Sequence, residues 1–272
     1  MNNICGLVSL VGRSNVGKST LINRILGHKI SITSKHRLTT RKQIIGVKTT
    51  GNIQIIYLDT PGIIKKDYKK YNQIWINAIK NADCVIFVID RMYWYFEEQI
   101  LFKHIKKNNI SIILVINKID WIKNKTSLLP WLTKLYNKLQ CAKIIPISAK
   151  VGIGIKELES IIISHLPKNN HYFPAKLKTD QNKRILIAEL IRENLINKLH
   201  SELPYLVDVT LEKIINTNQT IDINALIIVE RNSQKHILLG IVKKICIESR
   251  IAIENIFHKN IRLKIWVKVK KH

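Results

Sequence analysis

Lys18, Asp59 and Asp120 are the side chains whose types and neighbours point first to chemistry. Lys18 stands in the run Gly12-Arg13-Ser14-Asn15-Val16-Gly17-Lys18-Ser19-Thr20, which has the spacing G-x-x-x-x-G-K-[ST]. Glycines at both ends let the backbone turn where a side chain would obstruct it. Successive N–H groups can then face a polyphosphate at a helix amino terminus. The Lys18 ammonium would meet the outer phosphates, and the Ser19 hydroxyl could ligate Mg²⁺. Asp59-Thr60-Pro61-Gly62 is a D-x-x-G element. Its acid would hold the metal through water, and the Gly62 amide would bond the third phosphate, whose loss frees the segment that follows. Upstream, Thr39-Thr40-Arg41 offers two hydroxyls, of which Thr40 is the preferred metal-sensing group.

Asn117-Lys118-Ile119-Asp120 has the spacing N-K-x-D. A carboxylate at Asp120 can accept hydrogen bonds from both the N1–H and the 2-amino group of guanine. Adenine offers neither donor and would leave the acid unpaired. Asn117 would tie the base side to the phosphate loop, and the Lys118 stem would cover the ring. Ser148-Ala149-Lys150 fits a small-residue loop that supports guanine from behind. A single nucleoside triphosphate would thus touch four separated parts of the chain.

These parts need a frame that brings them to one edge. From Ile4 to about Leu166, short aliphatic runs alternate with stretches of helical period, the pattern of a mostly parallel sheet with covered faces. Strands are expected at 6–11, 44–49, 53–58, 84–89, 111–116 and 143–147, and helices at 18–26, 71–81, 97–107, 127–139 and 155–166. Each motif then falls just beyond the carboxyl end of a strand, where open sheets hold ligands. Prolines bracket the polar run Pro167-Lys168-Asn169-Asn170-His171-Tyr172-Phe173-Pro174, which reads as a linker. Beyond it the order changes to a helix at 183–199, strands at 206–215 and 221–230, two helices at 234–239 and 243–257, and a strand at 261–269. Trp266, set among Lys264 and Lys268, is expected in the core of this second domain.

A length of 272 residues suits two modest domains, each with its own core. Lys and Arg outnumber Asp and Glu by 45 to 19, a net charge of +26 that calls for an acidic partner such as nucleic acid. The Ile, Asn and Lys bias of the chain weakens that inference unless a nucleic-acid fold lies beneath the charge. Cys5, Cys84, Cys141 and Cys246 are scattered, without zinc or dithiol spacing. No secretory signal is visible, and no apolar run approaches a membrane span, so a soluble, cytoplasmic protein is expected; a monomer is expected as well.

The motifs above, with Ser31-Ile32-Thr33-Ser34 and Leu203-Pro204-Tyr205, resemble the Era family of bacterial ribosome-assembly GTPases. His171-Tyr172-Phe173-Pro174, Asp222-Ile223-Asn224, Val229-Glu230-Arg231 and Trp266-Val267-Lys268-Val269-Lys270 are similar to that family's linker and carboxy-terminal landmarks. The resemblance implies an α/β P-loop GTPase domain over 1–166, a linker over 167–182, and a smaller α+β type II KH-like domain over 183–272. It further implies GTP as substrate, GDP as product, Mg²⁺ as cofactor held by Ser19, Thr40 and Asp59, and catalytic parts for Lys18, Thr40 and Gly62. The implied partners are small-subunit ribosomal RNA near its 3′ end and the small ribosomal subunit, with peripheral inner-membrane attachment in some members. Arg231, Gln234, Lys235, Gly240, Lys243, Lys244 and Arg250 are the candidate RNA contacts.

Two features set limits. A KH domain clamps RNA phosphates with G-x-x-G between paired helices, whereas Gly240-Ile241-Val242-Lys243 has only the first glycine and the segment is about four residues short. RNA binding is then weaker, shifted onto Lys243, Lys244 and Arg250, or dependent on ribosomal proteins. Ras-like GTPases place a water-orienting glutamine after the D-x-x-G glycine, but here Ile63 follows, as in the Era family. Slow hydrolysis is expected, and the alternative is an RNA-binding assembly factor gated by nucleotide with negligible turnover. An ATP-dependent kinase or ATPase is opposed by Asp120.

Overall fold

The computed structural model describes residues 3–33, 43–63, 68–139, 143–199 and 207–270. They divide into two compact units, the first running to Asp180 and the second starting at Gln181.

The first unit is built on six strands: β1 (Ile4–Val11), β2 (Ile44–Thr50), β3 (Ile53–Asp59), β4 (Cys84–Asp90), β5 (Ser111–Asn117) and β6 (Lys143–Pro146). Their order across the sheet is β2-β3-β1-β4-β5-β6, and every neighbouring pair is parallel except β2 with β3. All seven residues of β4 are buried, which explains its unbroken aliphatic run: a strand covered on both faces has no polar side to show. Helices α1 (Lys18–Leu26), α2 (Tyr68–Lys80), α3 (Phe96–Lys107), α4 (Leu128–Leu139) and α5 (Ile155–Ser164) alternate with the strands. Leu21, Ile22 and Ile25 of α1 and Leu158 and Ile162 of α5 join Val8, Leu10, Ile86 and Val115 in the main core. Because β1, β3, β4 and β5 run the same way, their carboxyl ends open on one edge, with β1 lying where the chain passes from one side of the sheet to the other.

The segment expected as a linker is hydrogen-bonded along this unit. Asn169 N–H donates to Asn3 O at 3.0 Å, Cys5 N–H to Pro167 O at 3.2 Å and Val47 N–H to Lys178 O at 2.8 Å. The fully buried Gln54 side chain both donates to Phe173 O and accepts from Phe173 N–H. The physical reason is that the edge of β2 and the start of β1, which β4 pairs only from Val8 onward, leave backbone groups that need partners, and extended, proline-bounded chain can supply them.

The second unit runs α6 (Lys183–Lys198), β7 (Asp208–Asn216), β8 (Thr220–Val229), α7 (Asn232–Phe257) and β9 (Asn260–Val269). The sheet order is β7-β8-β9, antiparallel then parallel, with a register shift between Leu211 and Lys213. Alternate residues of β8, from Ile221 to Val229, face Leu190, Ile191 and Leu195 of α6 and Leu238, Ile245 and Ile253 of α7. Two expectations are corrected here. The helices expected at 234–239 and 243–257 are one helix of 26 residues. With no second glycine and no proline between Leu239 and Lys244, continuing the backbone ladder costs less than breaking it, and Gly240 alone penalises the helix by only about 1 kcal/mol. Trp266 is 45% exposed and lies outside the core, because residues two apart on a strand share a face and Lys264 and Lys268 already point outward.

Candidate functional site

The phosphate loop leaves β1 at Gly12. A methyl group placed there would stand 2.3 Å from Val88 O, so only glycine lets β1 and β4 approach at this point. Gly17 begins α1 with φ 99°, and a methyl group on it would stand 2.2 Å from Asn117 Nδ2. Lys18 is only 6% exposed, and its Nζ donates to Gly12 O at 3.0 Å and Arg13 O at 3.1 Å, lying across the mouth of its own loop. Burial lowers its pKa to about 8, partly offset by the Asp59 carboxylate. Val16 is a core residue whose carbonyl serves the site, and Thr20 lies in the first turn of α1. Arg13 departs from expectation. Its side chain pairs with the fully buried Glu98 at 2.9 Å and lies 4.1 Å from the Tyr95 ring centre, so only its backbone belongs to the loop.

Asp59 ends β3 beneath Lys18. Its Oδ2 accepts from Ser19 Oγ at 3.0 Å and Ser31 Oγ at 2.8 Å, while Oδ1 is buried without a hydrogen-bond partner. Burial pushes the carboxyl up, against the pull of Lys18 and of the two hydroxyls. An orphaned carboxylate oxygen beside a serine hydroxyl is costly in an apolar setting and fits a divalent cation. Thr60 is spent on structure, donating to Leu10 O at 2.7 Å, and Pro61 is buried beside it. Gly62 presses on the phosphate loop, where a methyl group would stand 2.5 Å from Ser14 Cα. Ile63 bonds the loop directly: Ser14 N–H donates to Ile63 O at 3.2 Å and Ile63 N–H to Gly12 O at 3.3 Å. Thr39, Thr40 and Arg41 lie outside the described residues.

The base end is assembled around Asn117, 2% exposed at the close of β5. Its Nδ2 donates to Val16 O at 2.8 Å and its Oδ1 accepts from Ala149 N–H at 2.9 Å, so one amide joins the phosphate loop to the loop after β6. Lys118 Nζ donates to Asn15 O at 2.6 Å and pairs with Asp90 at 3.0 Å. Asp120 Oδ1 accepts from Ser148 Oγ at 2.6 Å, which fixes the carboxylate. Lys150 contributes a carbonyl that, like Ala149 O, accepts from the Arg24 guanidinium.

Sequence reasoning missed Arg24, Asp90 and Glu98, which no motif contains, and gave Ser31 no role beyond its place in the segment Ser31-Ile32-Thr33-Ser34. Asn23 was also missed. It accepts from Ile30 and Ser31 N–H and donates to Ser31 O, and so delivers the Ser31 hydroxyl to Asp59. The signal for Asn23 and Arg24 is position: they follow Lys18 on a short helix whose apolar face is already taken by Leu21, Ile22 and Ile25.

In the second unit, Gly240, Lys243 and Lys244 are exposed along α7, and Arg250 pairs with Glu254 at 3.8 Å. Arg231 is exposed at the helix start, and Lys235 is half-buried. Gln234 is a correction. It is 6% exposed, and its Oε1 accepts from Glu230 and Arg231 N–H at 3.0 Å each, so it caps the helix.

A phosphate loop, a D-x-x-G element and an N-K-x-D corner converging at one edge of a parallel sheet, followed by an α/β unit, define a P-loop GTPase with an appended second domain. Residues 7–118 match a family described as 50S ribosome-binding GTPase, and residues 202–272 match the KH domain family. The chain is 45% identical to GTPase Era of Pseudomonas fluorescens, covering 98% of this chain and 91% of that one, and 42% identical to GTPase Era of Pasteurella multocida over 98% and 90%. It belongs to the Era family of GTPases. Two solved relatives each share 35% identity and a TM-score of 0.93 over 98% of this chain and 94% of theirs. One is an Aquifex aeolicus Era variant bound to GDP·AlF4⁻, and the other is Era with MgGDPNP and nucleotides 1506–1542 of 16S ribosomal RNA.

Proposed function

We propose that this chain binds GTP with Mg²⁺ between the phosphate loop and Asp120, hydrolyses it to GDP and phosphate, and couples nucleotide state to binding of small-subunit ribosomal RNA near its 3′ end during subunit assembly. The observation that carries the nucleotide half is the Asn117 side chain, bonded at once to Val16 O and Ala149 N–H. It sets the phosphate end and the base end of the cleft in a single frame. The RNA half draws on the relative solved with a 16S fragment.

GTP entering the cleft would take the Lys18 ammonium from Gly12 O and Arg13 O and seat its phosphates on the loop amides. Ser19 and Asp59 would hold Mg²⁺, with Thr40 as a further ligand, and the ion supplies positive charge against the phosphate oxygens when bound. Ile63 O holds the Ser14 N–H, and a third phosphate that drew on that amide would loosen the Ile63 bonds. Lys18, Thr40 and Gly62 would stabilise the charge that grows on the transferred group. Arg231, Lys235, Lys243, Lys244 and Arg250 would supply the helical contribution to RNA binding, through charge along α7 in place of a glycine clamp, while Gly240 leaves an open surface between them. The chain would act as a cytoplasmic monomer with any membrane contact peripheral. Among the described residues no helix is long and apolar enough to cross a bilayer.

Single-turnover hydrolysis of bound GTP, with and without small ribosomal subunits, tests the reading. Phosphate release that requires Mg²⁺ and accelerates with subunits is expected. A second reading, a nucleotide-gated assembly factor without useful turnover, is favoured by Ile63. That residue is 4% exposed and puts an apolar side chain where a water-orienting group would stand. GTP binding without phosphate release, even with subunits present, would establish it.

A further inference from the structure

The β7-β8-β9 sheet has one face packed against α6 and α7 and another that, among the described residues, no helix covers. On β9 the inner positions are Ile261, Leu263, Ile265, Val267 and Val269, all part of the core cluster. The outer positions are Arg262, Lys264, Trp266 and Lys268. Register aligns Arg262 with Asp222 and Ile215, and Lys264 with Asn224 and Lys213, across the three strands. These six residues line a depression of about 250 Å³. Among the described residues, Lys213, Arg262 and Lys264 have no carboxylate partner within 4 Å, and Asp222 Oδ1 is buried there without a hydrogen-bond donor. Two residues further along β9, Trp266 is 45% exposed beside Leu226 of β8.

We propose that this uncovered sheet face is an RNA-contact surface separate from α7, holding a single-stranded segment with its phosphates on Lys213, Arg262 and Lys264 and a base stacked on Trp266. The inference rests on the reading that the chain binds ribosomal RNA. Alternate residues along a strand are spaced by about 6.7 Å, a distance that successive phosphates of an extended single strand can match. A duplex keeps its bases stacked inside and could not offer one to Trp266, whereas a loop or end can. Asp222 repels phosphate but accepts from a base amino group or a 2′-hydroxyl, so it favours a nucleotide turned with its donors inward. Arg262 directly opposite it on β9 and Lys264 two residues further along that strand keep the local charge positive. The exposed aromatic flanked by cations distinguishes this face from the helical one, where the exposed apolar residues are aliphatic: Ile237, Leu239, Ile247 and Ile251.

The test uses the full chain, protein-free 16S ribosomal RNA and a salt series. Arg262→Glu with Lys264→Glu should weaken binding on the order of tenfold and reduce the salt slope by about two. Trp266→Ala should weaken it by about tenfold with the slope unchanged, and Trp266→Phe, which keeps a ring, should restore most of the affinity. GTP affinity and thermal melting, measured on each variant, separate misfolding from lost contact, and the charge variants sit at exposed positions where folding is not at stake. If wild type binds and all these variants bind equally well, the inference fails while the proposed function stands. If they lose affinity only for assembled subunits and not for free RNA, the face docks a protein and the inference also fails. If wild type does not bind ribosomal RNA, the functional reading falls and takes the inference with it.

Discussion

Gly17 in the phosphate loop and Gly240 in α7 both stand in segments whose sequence suggests phosphate contact, yet they serve opposite ends. Gly17 has φ 99° and no space for a methyl group, because Asn117 Nδ2 occupies it. Gly240 sits in the middle of a continuous helix with nothing within 4 Å of where a methyl group would be. The first glycine is required by a backbone shaped around a ligand. The second stands where a KH domain's clamp would turn, but here the helix runs through it and its amide is committed to helical hydrogen bonding. What the pair teaches is that a main-chain phosphate clamp survives only where tertiary neighbours enforce its shape. The nucleotide unit therefore recognises phosphate by backbone geometry, and the second unit must do so by side-chain charge.

The strongest attempt to break this contrast is Gly17→Ala. Strain at positive φ together with displacement of Asn117 should destabilise the first unit by about 2–4 kcal/mol, and guanine-nucleotide affinity should fall on the order of 100-fold. Calorimetric melting and nucleotide titration check both, and retained affinity would show that the loop shape is not set by this close approach.

A smaller effect follows from Lys18, whose pKa burial lowers to about 8 from an ordinary 10.5. In the nucleotide-free protein the ammonium is charged below about pH 8, and a bound polyphosphate stabilises that charge. Affinity for GTP should therefore be flat below pH 8 and fall above it, by up to about tenfold per unit. Stability of the nucleotide-free fold moves the other way. The folded state binds fewer protons than the unfolded state between about pH 8 and 10.5, so this residue's destabilising contribution shrinks as pH rises through that window. Lys18→Met should abolish both trends, as read by titration and melting from pH 7 to 10.

The smallest effect sharpens the other side. Gly240→Ala should stabilise the second unit by about 0.5–1 kcal/mol and leave nucleotide binding unchanged. A loss of stability, seen in urea melts, would mean that the backbone at Gly240 is not simply helical.

The contrast also marks what could be read from sequence. The phosphate loop, D-x-x-G and N-K-x-D elements were legible because each is contiguous and each residue has a separate physical task. Their placement followed from strand ends on a parallel sheet. Arg24, Glu98 and the part Ser31 plays were not legible, because each reaches the site from an element whose approach is fixed only by packing. The course of the segment from Pro167 to Asp180 was not legible, because prolines announce the end of a helix but not which strands the extended chain will run beside. Trp266 was misplaced because it was read as alternating with Lys264 and Lys268, whereas the strand period puts all three on one face.

The most direct test of the nucleotide site is the binding of GTP, ATP and xanthosine triphosphate to wild type and to Asp120→Asn. Wild type should prefer GTP over ATP by a wide margin. In the variant, GTP affinity should drop by about 100-fold or more while xanthosine triphosphate gains, because the introduced amide can donate to the carbonyl that replaces the 2-amino group. Unchanged GTP affinity in the variant would contradict the assignment of Asp120 to the guanine edge, and with it the single cleft that Asn117 holds together.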